Sequence, residues 1–202
     1  MTDIPPDTDK LNPSVLQDGV PNRQLVQATD LQLFGMIANA DKTAMAEFIH
    51  RYYGKMCKYI TRQIGRQHDC EDIAQEAFIK VWQHAPSWVN QDIPPHSWLY
   101  RITYNLCIDE LRKRKPNDEL DLEQHVSNED LPEEQALNDE KSQMLAHAFK
   151  LLSPEQRTAI SLCNYSGFSN REAADIMQIS VEALESLLAR GRRKLKMILI
   201  NH

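Results

Sequence analysis

Between Pro116 and Glu140 the chain carries ten acidic residues and no lysine or arginine. A stretch of that composition repels itself and buries too little apolar surface to offset the entropy of ordering it, so it has no place in a packed core. It divides the 202 residues into two parts, each of which must build a core of its own. The expected organisation is a mobile tail at 1–24 with four prolines, a first folded part at 25–115, an extended acidic linker at 116–138 and a second folded part at 139–202. The same stretch changes what the net charge means. The formal charge of the whole chain is −6, yet once those ten acids are set aside the remainder carries +4. Such a chain has basic surface to offer a polyanion in spite of its acidic balance.

Both folded parts read as helical. Apolar residues recur at helical spacing, no stretch alternates at period two, and the predicted class is all-α: two small helical domains on a flexible acidic linker. Helix starts are marked by side chains. Asp69 precedes CEDIAQEAFIKVWQ. In SPEQ, 153–156, Ser153 is an N-cap with proline at the first helical position. SNRE, 169–172, is a capping box, and Ser180 caps the last helix. No apolar run approaches the length of a membrane span, so no insertion into a membrane is expected. The opening MTDIPPDTDK lacks the basic start and apolar core of a secretory signal, which predicts a cytoplasmic protein.

The four cysteines, Cys57, Cys70, Cys107 and Cys163, form no CxxC pair. His50 with Cys57, and His68 with Cys70 and Asp69, are the nearest approach to a ligand set, and their spacing fits no metal site. We expect small half-buried cysteines, no metal, no cofactor and no catalytic residue.

Three segments carry the functional reading. In the C-terminal part, a helix over about Asn170 to Met177 leads through Gln178–Ile179–Ser180 to a second helix from Val181. Val181, Leu184, Leu188, Leu195 and Ile198 form its apolar stripe. Glu182, Ser186, Ala189 and Arg193 share another face, and Arg190, Arg192, Arg193, Lys194 and Lys196 crowd the C-terminal half. So tight a turn between two helices predicts a helix-turn-helix, against the alternative of a helical hairpin whose arginines only face water. In YRITYNLCIDELRKRK, 100–115, Arg101, Asn105, Arg112 and Lys115 share a face, with Trp98, Tyr100 and Tyr104 beside it. This is either a backbone track with stacking platforms for unpaired bases or the charged end of a core helix with its aromatics packed inside. In HDCEDIAQEAFIKVW, 68–82, Ala74, Ala77, Phe78 and Val81 point inward, while Asp72, Gln75, Glu76 and Ile79 form an outward face suited to docking another protein.

In this order and spacing the three segments resemble the extracytoplasmic-function group of sigma factors in the sigma-70 family, over residues 25–200. The quoted stretch 68–82 is similar to the family's D-x-E-D-x-x-Q-E-x-F-x-x-x-W segment. SWLYRITYNLCIDELRKRK is similar to its W-L-x-x-I-x-x-N-x-x-x-D-x-x-R segment, and LSPEQRTAISLCNYSGFSNREAADIMQISVEALESLLARGRRKLK to its region 4. The resemblance implies a region 2 at 25–115 and a region 4 at 139–202, and a promoter-specificity subunit of RNA polymerase with no catalysis of its own. It implies core polymerase as partner, met at the β′ clamp helices through Asp72, Gln75, Glu76 and Ile79 and at the β flap. It implies contact with the melted −10 element through Arg101, Asn105, Arg112 and Lys115, with Trp88 in the loop 85–97 as part of a base pocket or as a structural plug. It places −35 contacts on Glu182, Ala183, Glu185, Ser186, Ala189, Arg190, Arg192, Arg193 and Lys194. It further implies an anti-sigma factor, often membrane-bound in this group, that wraps both domains.

The sequence departs from the family's pattern in three places. Pro95 and His96 stand where an aromatic often precedes Ser-Trp-Leu, Gln178 stands where the turn often has glycine, and Glu182 and Glu185 stand where small or basic residues are common. Two other classes compete with this reading. A helix-turn-helix repressor would bind duplex DNA without polymerase, and a metal-dependent enzyme would need a ligand set that the spacing does not supply.

Overall fold

A computed structural model describes residues 23–65, 68–88, 93–113, 144–145 and 147–200. The linker 116–138, Lys115, residues 89–92 and nearly all of the expected tail lie outside them. Among the described residues every regular element is helical, as the period-3.6 patterns predict. The N-terminal part holds α1 (Arg23–Val26), α2 (Asp30–Ala38), α3 (Lys42–Ile64), α4 (His68–His84), a 3₁₀ turn (Ala85–Ser87) and α5 (Pro95–Lys113). The C-terminal part has helical residues at 144–145 and 147–150, then α6 (Pro154–Ile160), which widens into a π-helical turn over Ser161–Tyr165, α7 (Asn170–Met177) and α8 (Val181–Ile200).

Local chemistry sets most of these boundaries. Thr29 and Gln32 form a capping box at α2, and the Asp41 carboxylate accepts from the Thr43 and Ala44 amides to start α3. Gly65, at φ 77°, ends α3 in the left-handed region that glycine enters without strain. Ser153 and Ser169 cap α6 and α7 through boxes with Gln156 and Glu172. Helix α4 begins at His68, so Asp69 falls inside it rather than before it.

The N-terminal core is built on Leu33, Phe34, Phe48, Tyr59, Ile60 and Leu99, all at or near zero exposure. Phe34 meets Phe48, Trp88 and Trp98 edge-on with ring centroids 5.2, 5.1 and 5.8 Å away, a geometry that adds to the burial of each ring. In the C-terminal part, Leu162, Ala173, Ile176, Leu184 and Leu188 are buried and belong to the same continuous apolar cluster as the N-terminal core.

Gly191 fills the gap in the apolar stripe of α8. A β-carbon there would lie 2.8 Å from Ile160 Cδ1, so the missing side chain lets α8 approach α6. Gly191→Leu is expected to overpack this contact and lower stability by ~2 kcal/mol. A thermal melt checks it, and a midpoint equal to that of the parent would mean that Ile160 and its neighbours repack freely.

Candidate nucleic-acid interface

The α7–turn–α8 unit is a helix-turn-helix held by backbone geometry. Gln178 ends α7 in the left-handed region at φ 57° and ψ 41°, and its N–H reaches the Ala174 and Asp175 carbonyls. The Ile179 N–H also donates to Ala174 O at 3.0 Å. A non-glycine residue in that conformation is strained by roughly 1–2 kcal/mol, and these bonds offset the strain. The Ser180 hydroxyl then accepts from the Ala183 amide at 3.2 Å and starts α8.

Leu184 and Leu188 seat α8 on the core. Glu182, Ala183, Glu185, Ser186, Ala189, Arg190, Arg192, Arg193 and Lys194 are all exposed. Amide and hydroxyl hydrogen bonds at the head of α8, from its own backbone first and Ser180 second, hold the Glu182 carboxyl below the usual range. That is what a positive helix terminus does for a carboxylate. Glu185 stands one turn deeper, where its Oε1 accepts from Asn170 Nδ2 at a long 3.4 Å. Arg192 Nη2 donates to Asn164 Oδ1 at 3.3 Å, and Arg190 Nε to Ser186 O at 3.2 Å. The helix presents a carboxylate near its start and a cationic second half.

On α5, Asn105 and Arg112 are exposed, with Arg112 Nη1 3.7 Å from the Asp109 carboxylate. The aromatics beside them are packed. Tyr100 is buried against Tyr59 and Phe168, and Trp98 lies on Phe34. Of the two readings left open for Tyr100 and Trp98, the structure favours the packed one. Trp88 also rests on Phe34, and its indole N–H is buried without a partner among the described residues. That is the posture of a plug. On α4, Asp72, Gln75 and Glu76 are exposed and Ile79 is half-buried, while Ala74, Ala77, Phe78 and Val81 are buried. The outward and inward faces fall where the helical spacing puts them.

Sequence reasoning did not foresee how the two parts meet. Phe168 follows Gly167, which turns the chain at φ 78°. Its ring stacks on His96 at 5.7 Å and meets Tyr100 edge-on at 4.8 Å. On its other side His96 lies parallel to Tyr52 at 6.4 Å, and its Nδ1 is 3.6 Å from the Asp30 carboxylate. Hydrogen bonds from His96, Tyr52 and Arg51 keep the Asp30 carboxyl low against the opposing effect of burial. Arg62 lies over the Tyr165 ring at 4.4 Å. Thr158 Oγ1 donates to Gln63 Oε1 at 3.0 Å, and the buried Arg157 guanidinium donates to the Gln63 carbonyl. In the orientation that satisfies the Gln178 amide, its oxygen accepts from Arg101 Nε at 2.9 Å and from Nη2. Arg101 is thereby drawn off the exposed face of α5 and held by the helix-turn-helix turn. The positive φ of Gln178 was foreshadowed by its place in the turn, but its hold on Arg101 had no sequence signal.

A two-domain helical protein whose second domain ends in a helix-turn-helix with a basic recognition helix is the class these features define. The family described as Sigma-70 region 2 matches residues 48–116, and Sigma-70, region 4 matches 142–195. The chain is similar to the ECF RNA polymerase sigma factor SigW of Bacillus subtilis, 33% identical over 172 residues that cover 79% of this chain and 91% of SigW. It is also similar to the ECF RNA polymerase sigma-E factor of Haemophilus influenzae, 29% identical over 84% of this chain and 95% of that one. Among solved structures, CnrH in complex with the cytosolic domain of CnrY superposes with a TM-score of 0.66 at 25% identity, covering 85% of this chain and 97% of CnrH. The chain belongs to the extracytoplasmic-function sigma factors of the sigma-70 family. Proteins of this class direct core RNA polymerase to specific promoters and initiate transcription, and that is the function of this chain. No helix among the described residues is long and apolar enough to cross a membrane.

Proposed function

We propose that the work is divided among three surfaces. The α4 face of Asp72, Gln75, Glu76 and Ile79 docks on the β′ clamp helices of core polymerase, with the C-terminal domain at the β flap. Asn105 and Arg112, with Arg101 once it is released and Lys115 beyond the described residues, track the melted −10 strand. Trp88 supports the loop behind them from its seat on Phe34. Unstacking a base costs a few kcal/mol and one stacking contact returns ~1–3 kcal/mol, so a base pocket shifts the balance without ATP. The exposed face of α8 reads the −35 element. The observation that carries this reading is α8 itself: Leu184 and Leu188 anchor it, and all nine candidate contact residues remain exposed. In vitro transcription with core polymerase on a genomic fragment library tests it. Start sites sharing a −10 and −35 motif are expected, and random initiation would overturn it.

The glutamates that lead α8 split in role. Glu182 serves the helix start. Glu185, beside Ser186 and Ala189, accepts from a cytosine N4 in the −35 element, a contact that discriminates by ~1–3 kcal/mol. The basic half of α8 offsets its repulsion by holding phosphates, which give affinity without sequence information. Glu185→Ala is expected to relax one −35 position only. Glu185→Arg is expected to raise general DNA affinity and change the base preferred there. A promoter-library selection that returns one motif for parent and both variants would reduce Glu185 to a helix starter.

Regulation follows from the packed arrangement of the domains. CnrH, one of the solved neighbours, is seen with the cytosolic domain of CnrY. A protein anti-sigma factor that touches both domains of this chain, membrane-bound as is common in the group, would hold Arg101 against Gln178 and away from DNA. The chain's location is the cytoplasm, where polymerase and promoter are.

A further inference from the structure

Asn170 stands at the first position of α7, directly after the Ser169 cap. The Ser169 N–H and hydroxyl both donate to Glu172 Oε2, at 2.9 and 2.7 Å, so the backbone that carries Asn170 is fixed. Its side chain bridges two others. Cys163 Sγ, in the π-helical turn, donates to Asn170 Oδ1 at 3.8 Å, and Asn170 Nδ2 donates to Glu185 Oε1 at 3.4 Å. The two bonds agree on which way the amide faces, oxygen to the thiol and nitrogen to the carboxylate. Asn164, next to Cys163, supports α8 two turns further on, where it accepts from Arg192 Nη2 at 3.3 Å. Residues 185 and 192 are seven apart and share a face of the helix. We propose that Asn170 is a positioning residue for promoter recognition: it orients the Glu185 carboxylate toward the −35 base pair. The proposal rests on the reading of Glu185 as an acceptor from cytosine N4.

A glutamate on an exposed helix face samples many rotamers, and few of them set an oxygen against a base edge. Holding it in one of those before DNA arrives removes an ordering cost from the bound state. Asn170 does this from behind. It ties Oε1 and leaves Oε2 for the base. The chemistry of the tie matters as well. An amide donor holds a carboxylate without adding charge, whereas a lysine or arginine at residue 170 would neutralise Glu185 and seize phosphates of any sequence. In water so long a bond between exposed partners adds little to folding stability. Against DNA, where water is displaced, it strengthens and decides which way the carboxylate points. The effect therefore belongs to base preference and not to the fold. Ser169 already caps α7, so Asn170 is not needed for that task. A direct bond from Asn170 to a phosphate would act differently, on all promoters alike.

The test assembles holoenzyme from the full-length protein and core polymerase and selects from a promoter library randomised across the −35 element. Asn170→Ala is expected to lower the preference for C·G at the Glu185 position by roughly fivefold, the lower end of what a well-formed base contact discriminates. Preferences at the other positions should stay as in the parent. Asn170→Asp should lose the same preference, because its carboxylate repels Glu185, even though a carboxylate suits a helix start. Thermal melting of both variants then separates the orientation of Glu185 from the stability of α7. In a Glu185→Ala background, Asn170→Ala should change nothing further, since no carboxylate is left to orient. With Glu185→Ala relaxing its position, three results overturn the proposal: the parent motif from Asn170→Ala, an equal loss on every promoter, or an added effect in the double variant. A motif unchanged by Glu185→Ala overturns the reading of Glu185 and this proposal with it.

Discussion

Replacing Arg157 by methionine is expected to lower the unfolding free energy by ~3 kcal/mol, more than any other single change at the domain contact. The residue is 6% exposed, and burial depresses its guanidinium from the usual arginine value, yet no carboxylate among the described residues pairs with it. Its partners are backbone carbonyls. Nε donates to Phe149 O at 3.0 Å, Nη2 to Lys150 O at 3.1 Å and Leu152 O at 3.3 Å, and Nη1 to the Gln63 carbonyl of the other domain. The first three lie at or just past the C-terminal end of the helical residues 147–150, where orphan carbonyls gather. One planar fork with five donors serves that helix end and the domain contact together. Methionine keeps the bulk but removes every donor. Arg157→Lys should lose nearly as much, because a single ammonium cannot span carbonyls on two sides. Denaturant unfolding followed by circular dichroism reads the change, and a midpoint matching the parent in both variants would remove Arg157 from this role.

Reversing one charge on α4 is expected to have the largest effect on assembly. Glu76→Lys should weaken binding to core polymerase by roughly tenfold or more, since a like charge placed in an interface costs several kcal/mol. The fold should not notice. Glu76 is exposed and pairs with Lys80 at 3.4 Å across one turn, a surface contact worth only ~0.3–0.5 kcal/mol. Helicity and melting should stay close to the parent while a pull-down with core polymerase falls. An unchanged pull-down moves the docking surface off α4.

What the sequence made legible follows a physical rule. Features set within one or two turns could be read: the capping boxes at Ser153 and Ser169, the Ser180 cap, and the two faces of α4 and α8. Each depends on the identity of residues three or four positions apart. The whole of α7 and the start of α8 were read where they stand. Features set by distant chain segments could not be read. Nothing within a turn of Arg157 marks it out, because its carbonyl partner at Gln63 is 94 positions away. Gly191 was passed over because its value lies in Ile160 on another helix. The aromatics near α5 stood at an undecided point, since packing and stacking on bases make the same demand on a ring. Phe34 and Phe168 decide Trp98 and Tyr100.

The grip of Gln178 on Arg101 has a thermodynamic consequence. On the proposed role of Arg101 in tracking the −10 strand, one cationic side chain cannot serve the helix-turn-helix turn and a DNA strand at once, so the closed arrangement and a DNA-bound open one would be exclusive states of one molecule. The affinity observed for promoter DNA is then the intrinsic affinity multiplied by the open fraction. A ligand that prefers one arrangement shifts that fraction only by its differential affinity for the two. On that proposal polymerase and promoter would draw the molecule toward the open form, and an inhibitor toward the closed one, through a single shared equilibrium. Loosening the closed form, as Phe168→Ala would, raises the open fraction without touching any DNA-facing atom. Such a change acts on every promoter by the same factor and leaves their ranking as it was.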